Sequence, residues 1–299
     1  MKAVLLMAYG TPKTLGDVEA YYTHIRGGRK PTAAEVDGLV ERYKVIGGTS
    51  PLIEITERLR AGLQEKLRRE GSDTKVLAAM KHSPPFISEV VASASREADE
   101  LLAITLAPHY SGMSVGSYVK AVEDANASAP RKMRLDFVRS WHTNPIFIRA
   151  WADRVRRAEA GLPPGYALIF SAHSLPERIL AAGDPYKSQL LETSGLVAQE
   201  LGRKDWTFSF QSAGHTSEPW MGPDILDHLE ALYEQGHRAF LVAHIGFVSD
   251  HLEVLYDLDV EARAWADKRN VAFRRCESLN DTEEFVSCLR SLIVDRGFL

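Results

Sequence analysis

Four carboxylates recur at close intervals in the segment GFVSDHLEVLYDLDVE, residues 246–261: Asp250, Glu253, Asp257 and Glu261. On an α-helix, at about 100° per residue, these side chains would fall within about 80° of one another, so the spacing predicts one acidic stripe. No Lys or Arg interrupts the run before Arg263. The stripe could bind a cation or accept protons. It could equally be the solvated face of a surface helix, with Asp250 as the residue that caps it.

Histidines stand where the sequence predicts the ends of strands. Five of the ten histidines follow such apolar runs: His82, His109, His173, His215 and His244. A single histidine at a strand end is more often a packing or capping residue. Five at corresponding positions indicate a cleft, because an open α/β sheet binds its ligands at the carboxyl ends of its strands. Imidazole together with carboxylate suits borderline divalent ions such as Fe²⁺, Co²⁺, Ni²⁺ or Zn²⁺.

Eight short apolar runs alternate with longer helical patterns, which is typical of βα units and parallel sheets. The runs begin at Ala3, Val76, Leu102, Arg134, Ala167, Thr207, Ala239 and Val271. The later intervals are 26 and 32 residues in the first set of four runs, and 32 and 32 in the second. The pattern predicts an α/β fold of two Rossmann-like domains, each a four-stranded parallel sheet flanked by helices, related by internal duplication.

The two predicted domains span residues 1–145 and 146–299. The first interval between runs is 73 residues in the first domain and 40 in the second, so the first domain carries an insertion, at about residues 12–56. The insertion contains two helical patterns and a basic segment with Arg26, Arg29, Lys30 and Arg42. We expect a lid that suits a carboxylate-bearing or phosphate-bearing substrate. Ser50, before a proline, could also be no more than a helix N-cap.

Composition excludes several classes of partner. The 299 residues carry a net charge of only −4, which does not favour nucleic acid or an anionic membrane surface. No apolar run approaches the 18 or so residues of an integral membrane segment, and the N-terminus is typical of a strand, so we expect a cytoplasmic protein. Cys276 and Cys288 are too few for a four-thiolate iron–sulfur cluster. Neither a G-x-G-x-x-G nor a P-loop motif occurs, which disfavours a nucleotide cofactor.

Seven motifs identify a family resemblance that covers nearly the whole chain. In order they are MAYGTP, YYTHIRGGRKP, GGTSPL, TLAPHYSGMSVGSY, SAHSLPE, QSAGHTSEPWMGPDI and GFVSDHLEVLYDLDVE. They resemble the ferrochelatases, in particular the coproporphyrin ferrochelatases of Gram-positive-type haem synthesis. The resemblance implies a soluble, monomeric class II chelatase with two chelatase-type Rossmann-like domains. Such an enzyme inserts Fe²⁺ into coproporphyrin III to form coprohaem and releases two protons. Iron is then a substrate, with no tightly bound cofactor, and contact with neighbouring haem-pathway enzymes would be transient.

The resemblance also implies roles for the acidic segment and one histidine. His173 of SAHSLPE and Glu253 resemble the pair that meets the metal, with His173 as ligand and first proton acceptor and Glu253 as partner base or ligand. Removing two pyrrole protons requires a base over the centre of the ring. Asp257 and Glu261 would continue the path outward. In the family this segment is a π-helix, whose wider turn aligns steps of four residues better than an α-helix does.

On the opposite face, Tyr9 resembles the axial contact to iron in the coproporphyrin-type enzymes, although a tyrosine at a strand end is more often a stacked aromatic. Five residues match positions that hold the macrocycle and its propionates: Arg26, Arg42, Tyr43, Ser50 and Tyr118. Guanidinium and carboxylate can pair bidentately, which fixes orientation as well as affinity. The family often shows two adjacent arginines where this chain has Arg26 and Gly27. One propionate contact is therefore missing, or Arg29 provides it.

Two other functions remain open. The first is a ferrochelatase acting on protoporphyrin IX, or a chelatase for another tetrapyrrole and metal. The second is a carrier of porphyrin or haem that keeps the fold without turnover. The presence of both His173 and Glu253 disfavours the carrier.

Overall fold

Two parallel four-stranded sheets form the centre of the protein, for which the computed structural model describes residues 1–214 and 216–299. The first sheet consists of β1 (Lys2–Ala8), β2 (Lys75–Met80), β3 (Glu100–Thr105) and β4 (Arg134–Val138). The second consists of β5 (Ala167–His173), β6 (Trp206–Gln211), β7 (Ala239–Ala243) and β8 (Ala272–Arg275). The orders are β2-β1-β3-β4 and β6-β5-β7-β8, so the halves share one topology. The predicted fold class and duplication are confirmed. The prediction for His215 lies outside the described residues.

Helices flank both sheets. In the first half they are α1 (Val18–Ile25), α2 (Ala33–Val45), α3 (Leu52–Arg69), α4 (Ile87–Ala94) and α5 (Val115–Ser128). In the second half they are α6 (Pro145–Glu159), α7 (Arg178–Ala181), α8 (Tyr186–Leu201), α9 (Ile225–Glu234), α10 (Leu252–Tyr256), α11 (Arg263–Arg269) and α12 (Glu283–Asp295). A π-helix, Asp257–Ala262, connects α10 to α11, so the π-helix expected from the family resemblance is present.

The central strands of the two sheets, β1 and β5, are almost entirely apolar and buried because helices cover both faces of each sheet. On β1, Val4 and Leu6 pack into one core, whereas Leu5 and Met7 pack on the opposite face against α4 and α5. This alternation follows from the two-residue period of a strand. The sheet edge that carries the strand ends is therefore held rigidly from both sides.

One hydrophobic core joins the two halves. It contains Leu59 of α3, Trp151 of α6, Phe170 of β5 and Phe285 of α12, each with no exposed surface. The last helix of the chain, α12, packs against α3 of the first half as well as against α6. The predicted domain boundary falls at the start of α6, where the side chain of Asn144 accepts hydrogen bonds from the first turn. That boundary stays a prediction.

The insertion of the first half forms α1 and α2, as the sequence predicts, after a short 3-10 turn at Leu15–Asp17. The second helix begins with a capping box in which Thr32 and Glu35 exchange hydrogen bonds between side chain and backbone. Among the described residues, no helix is long and apolar enough to cross a membrane.

Candidate functional site

His173 and Glu253 meet at the carboxyl edge of the second sheet. The Nδ1 atom of His173, the last residue of β5, lies 3.1 Å from Oε2 of Glu253 on α10. The two groups are not aligned as a hydrogen bond, and this Nδ1 has no other hydrogen-bond partner among the described residues. Both side chains remain partly open, with 30% and 38% of their surface exposed. The Nδ1 atom of His173 is itself buried, so the exposed surface belongs to other atoms of the two side chains.

A glycine lets the acidic segment approach the end of β5. A Cβ atom at Gly246 would lie 2.4 Å from Cβ of Ala172, closer than side chains can pack. The Gly246 amide donates a hydrogen bond of 3.1 Å to the carbonyl of Ser171. This contact ties the loop after β7 to β5, so that α10 begins beside His173.

The charges of the two groups support each other. Burial alone would disfavour the imidazolium, but the Glu253 carboxylate, helped by Asp257, raises the pKa of His173 above its ordinary value. Burial would likewise raise the pKa of Glu253, yet the imidazoles of His173 and His251 bring it below its ordinary value. At neutral pH Glu253 is therefore ionised and attracts either a proton or a cation at this point.

His251 is a third member of this cluster that the sequence reasoning did not single out. Its Nε2 lies 3.5 Å from Oε2 of Glu253, and its Nδ1 donates to the Ser249 carbonyl at 2.9 Å. The ring packs against Phe247 with centroids 4.8 Å apart. Its position two residues before Glu253 was the available signal, but only the fold turns both side chains to one point.

Asp257 is buried at the start of the π-helix. Its carboxylate accepts a short hydrogen bond from the Ser212 hydroxyl and a longer one, 3.5 Å, from the side chain of Gln211. Burial, with the nearby charges of Glu253 and Glu261, raises the pKa of Asp257 to about 6. Glu253 and Glu261 are thus close enough to Asp257 for their charges to act on it. Asp257 can exchange a proton near neutral pH.

Asp250 does not belong to this stripe, and its prediction as a helix cap is wrong. The N-cap position of α10 is His251. Asp250 turns away and accepts hydrogen bonds from the Ser278 hydroxyl at 2.7 Å and the Asn280 amide at 2.9 Å. These partners follow β8 in sequence, so the contact is tertiary and periodicity alone does not reveal it.

His82, His109 and His244, three of the other predicted strand-end histidines, do not join the pair. His109 is buried and bonded to the Thr193 hydroxyl of α8 at 2.9 Å, a contact between the two halves. His244 is fully buried and bonded to Ser278 at 2.9 Å. Both have a pKa held well below the ordinary value by burial, so they stay neutral. These two fit the alternative of packed histidines.

His82 lies beside Tyr9 at the edge of the first sheet. The two rings have centroids 4.5 Å apart, and Nδ1 of His82 is 3.0 Å from Nδ1 of His24 on α1. Burial, with Lys81 and His24 nearby, lowers the pKa of His82 to about 3. This imidazole is neutral at physiological pH and extends the aromatic surface around Tyr9.

A cluster of tyrosines lines the first half of the cleft. Tyr9, which follows β1, keeps 42% of its surface exposed, whereas Tyr43 and Tyr118 are buried. The hydroxyl of Tyr43 shares a 3.0 Å hydrogen bond with Thr11. Burial raises the pKa of Tyr43 to about 12 and also raises that of Tyr9, to which the Glu253 charge contributes. Tyr9 and Glu253 are thus close enough to interact electrostatically, and the phenols of Tyr9 and Tyr43 are neutral.

The insertion reaches the acidic segment through Arg42. Its guanidinium lies 4.9 Å from the centre of the Tyr256 ring, and its charge acts on Asp257. Arg26 instead pairs with Glu35 at 2.7 Å, which connects α1 to α2. Arg26 and Arg42 thus each have a partner within the protein.

Ser50 is buried, and its hydroxyl accepts a 3.4 Å hydrogen bond from the amide of Leu52. The N-cap position of α3 is Pro51, so the prediction of Ser50 as the N-cap is wrong. A cavity of about 330 Å³ adjoins it, lined in part by Thr11, Lys13 and Thr49. Gly27 has φ of +64°, a conformation that favours glycine.

Known proteins match the chain along its whole length. The ferrochelatase family model matches residues 1–296. Coproporphyrin III ferrochelatase of Oceanobacillus iheyensis is 42% identical over 303 aligned positions, covering 98% of this chain and 96% of that protein. The ferrochelatase of Herpetosiphon aurantiacus is 41% identical, covering 97% of each. Among solved structures, the sirohydrochlorin chelatase SirB of Bacillus subtilis subspecies spizizenii, in complex with cobalt, has a TM-score of 0.60 at 9% identity, covering 99% of this chain and 95% of that one.

Because the identity to SirB is only 9%, this structural likeness shows the fold alone. It agrees with the predicted chelatase-type fold of the two halves. The family follows from the match over residues 1–296 and from relatives above 40% identity. This chain belongs to the ferrochelatase family.

Proposed function

We propose that this protein inserts Fe²⁺ into coproporphyrin III to form coprohaem, with release of two protons. The observation that carries the proposal is the pair of His173 Nδ1 and Glu253 Oε2, 3.1 Å apart, on side chains that are 30% and 38% exposed. Relatives about 40% identical to this chain, including one from Bacillus subtilis, carry the name coproporphyrin III ferrochelatase. Family and substrate class therefore agree with the chemistry of the pair.

The chain's own groups supply the proton acceptors that insertion needs. A free-base porphyrin gives up two N–H protons when a divalent metal enters, so a base must lie near the ring centre. Glu253 is ionised because the neighbouring imidazoles lower its pKa. His173 offers a nitrogen ligand to the metal and then a site for a proton. These roles make His173 and Glu253 the proposed catalytic and metal-contacting residues.

Asp257 and Glu261 form the proposed outward path. With its pKa near 6, Asp257 can take a proton from the inner pair and release it to solvent at neutral pH. Glu261 lies one step further along the π-helix and acts electrostatically on Asp257. The acidic segment would thus move protons away from the ring, or metal toward it.

The opposite wall would hold the macrocycle. Tyr9, whose side chain is partly exposed, would contact the iron, and the buried Tyr43 and Tyr118 would support the ring on the same side. Arg26 and Arg42 carry the positive charge for propionates, with Ser50 as a neutral donor. Because Glu35 already holds Arg26, a propionate there must share or replace that partner.

Anaerobic Fe²⁺ insertion, measured with coproporphyrin III beside protoporphyrin IX, tests the substrate. We expect the higher kcat/KM with coproporphyrin III, the tetracarboxylate, because the inserted segment at residues 12–56 carries several cationic side chains. Faster turnover of protoporphyrin IX would contradict the choice of substrate and favour the alternative ferrochelatase. Binding of porphyrin without any insertion would favour the carrier.

We further propose a cytoplasmic monomer without a tightly bound cofactor or iron–sulfur cluster, and with transient contacts to neighbouring haem-pathway enzymes. Both cysteines are buried and free, with the pKa of each thiol raised to about 12 by burial, so neither is a ready metal ligand. Size-exclusion chromatography with light scattering would test the monomer; a stable dimer would contradict it.

A further inference from the structure

One arginine contacts two carboxylates of the acidic segment from behind. Arg275, at the end of β8, binds Asp259 bidentately, with Nε 2.8 Å from Oδ1 and Nη2 2.7 Å from Oδ2. Its Nη1 lies 3.3 Å from Oδ1 of Asp250. The side chain of Arg275 is largely buried, with 14% exposed. Arg275 therefore connects the end of β8 to Asp250, which precedes α10, and to Asp259 in the middle of the π-helix.

The two carboxylates are held in different ways. Asp250 is also fixed by Ser278 and Asn280, and its amide donates to the Asn280 side chain at 2.8 Å. Asp259 has Arg275 as its side-chain partner among the described residues. Asp250 is thus held by several partners, whereas the side chain of Asp259 in the π-helix is held by Arg275.

The geometry of the π-helix gives this contact a direction. With about 4.4 residues per turn, each residue turns by about 80°, so Asp259 points about 160° away from Asp257. Glu261, four residues after Asp257, returns to within about 30° of it. Holding Asp259 toward β8 therefore turns Asp257 and Glu261 toward the cleft.

We propose that Arg275 is a positioning residue for metal insertion. By binding Asp259 and Asp250, it fixes the rotation of the π-helix that presents Asp257 and Glu261 beyond Glu253. The inference rests on the proposed function, since it assigns a support to the same site. A planar guanidinium suits this task because its fork matches both oxygens of one carboxylate and still has a donor left for another.

Stability alone accounts poorly for this arrangement. Partly buried ion pairs contribute little net stability, because desolvation offsets much of the attraction. π-Helical turns are rare and occur frequently at functional sites. A charged contact directed at such a turn is better explained by the orientation that it fixes.

Two conservative variants test the inference: Arg275→Lys, which keeps the charge and loses the fork, and Asp259→Asn, which removes the carboxylate. We expect each to lower kcat for Fe²⁺ insertion by about 10-fold and to raise KM for Fe²⁺, as losses of support around metal ligands do. The Kd for coproporphyrin III should stay within about twofold. The double variant should be no worse than the poorer single one, because both changes remove the same contact.

Glu70→Gln is the matched control. It breaks the ion pair between Arg290 of α12 and Glu70 at the end of α3, whose charged atoms lie 2.9 Å apart. About a third of each side chain is exposed. This variant should keep kcat and KM. Comparing melting temperatures among the three variants separates loss of stability from loss of position, and Asp259→Asn carries the test if Arg275→Lys does not fold.

Two outcomes distinguish the inference from the function on which it rests. If wild-type protein inserts iron and Arg275→Lys and Asp259→Asn behave like Glu70→Gln, the positioning role is wrong. If wild-type protein inserts no metal into any porphyrin, the proposed function itself is wrong. A crystal structure of Asp259→Asn gives a readout without turnover: an unchanged π-helix, with Asp257 and Glu261 in place, would also overturn the inference.

Discussion

The two halves of the molecule share a sheet order but differ in the chemistry at the end of the central strand. In the first half β1 leads to Tyr9, a neutral phenol among other buried tyrosines. In the second half β5 ends at His173, which faces an ionised Glu253. The same scaffold position thus carries an uncharged aromatic surface on one side and an ionic pair on the other. Duplication has preserved the framework while the reactive groups diverged, so one half would hold the ring and the other the metal and protons.

The largest expected effect comes from removing the imidazole of the ionic half. His173→Ala should lower kcat for Fe²⁺ insertion by about 1,000-fold or more, because metal ligand and proton acceptor are lost together. Binding of coproporphyrin III, measured by fluorescence quenching, should persist because Tyr9, Tyr43 and Tyr118 are unchanged. Near-normal turnover in this variant would remove His173 from the mechanism.

Neutralising the partner carboxylate should have the next largest effect. Glu253→Gln keeps the shape but removes the charge, and we expect a loss of about 100-fold in kcat. Asp267→Asn on α11 is the matched control, since Asp267 is exposed and lies off the acidic segment. Steady-state insertion assays on both variants check this, and equal losses would mean that the segment is an ordinary surface.

Asp257 should set part of the pH dependence. Its pKa of about 6 lies above the ordinary value, so lowering the pH through 6 protonates the carboxylate and removes an acceptor. Insertion by the wild-type protein should therefore rise between about pH 5 and 7. Asp257→Asn should be several-fold slower at pH 7.5 and lose that rise. A pH–rate profile of the two proteins decides, and an unchanged rise would exclude Asp257 as its source.

The smallest effect is expected on the aromatic half. In Tyr9→Phe the ring that faces the cleft remains and only a neutral hydroxyl is lost, so kcat should fall by less than about fivefold. The effect should appear instead in the absorption spectrum of bound coprohaem, if Tyr9 meets the iron. A loss as large as that of His173→Ala would contradict the division of labour between the halves.

Local patterns in the sequence predicted the framework well. All eight strands lie at the predicted apolar runs, because strands of a helix-covered parallel sheet combine an apolar composition with regular spacing. The insertion also contains the two helices that its pattern predicts. The pairing of His173 with Glu253 was expected from motif resemblance, and the structure brings the two side chains together.

Contacts between segments that are distant in the sequence could not be predicted from local patterns. Asp250 has the right spacing for the acidic stripe, yet Asn280 and Ser278 hold it elsewhere. His109 and His244 follow strands as predicted, but contacts with Thr193 and with Ser278 and Trp151 hold them in buried positions. Arg26 was predicted to hold a propionate, and the fold places the carboxylate of Glu35 beside it. Each of these depends on side chains that meet only after folding.

A single-turnover comparison tests the central claim most directly. His173→Ala and Tyr9→Phe, each saturated with coproporphyrin III, would be mixed anaerobically with Fe²⁺, and the rate of coprohaem formation followed by absorbance. The account predicts almost no insertion by His173→Ala and a rate within about fivefold of wild type for Tyr9→Phe. Rapid insertion by His173→Ala, with Tyr9→Phe inactive, would place the chemistry on the opposite half of the cleft and contradict the account.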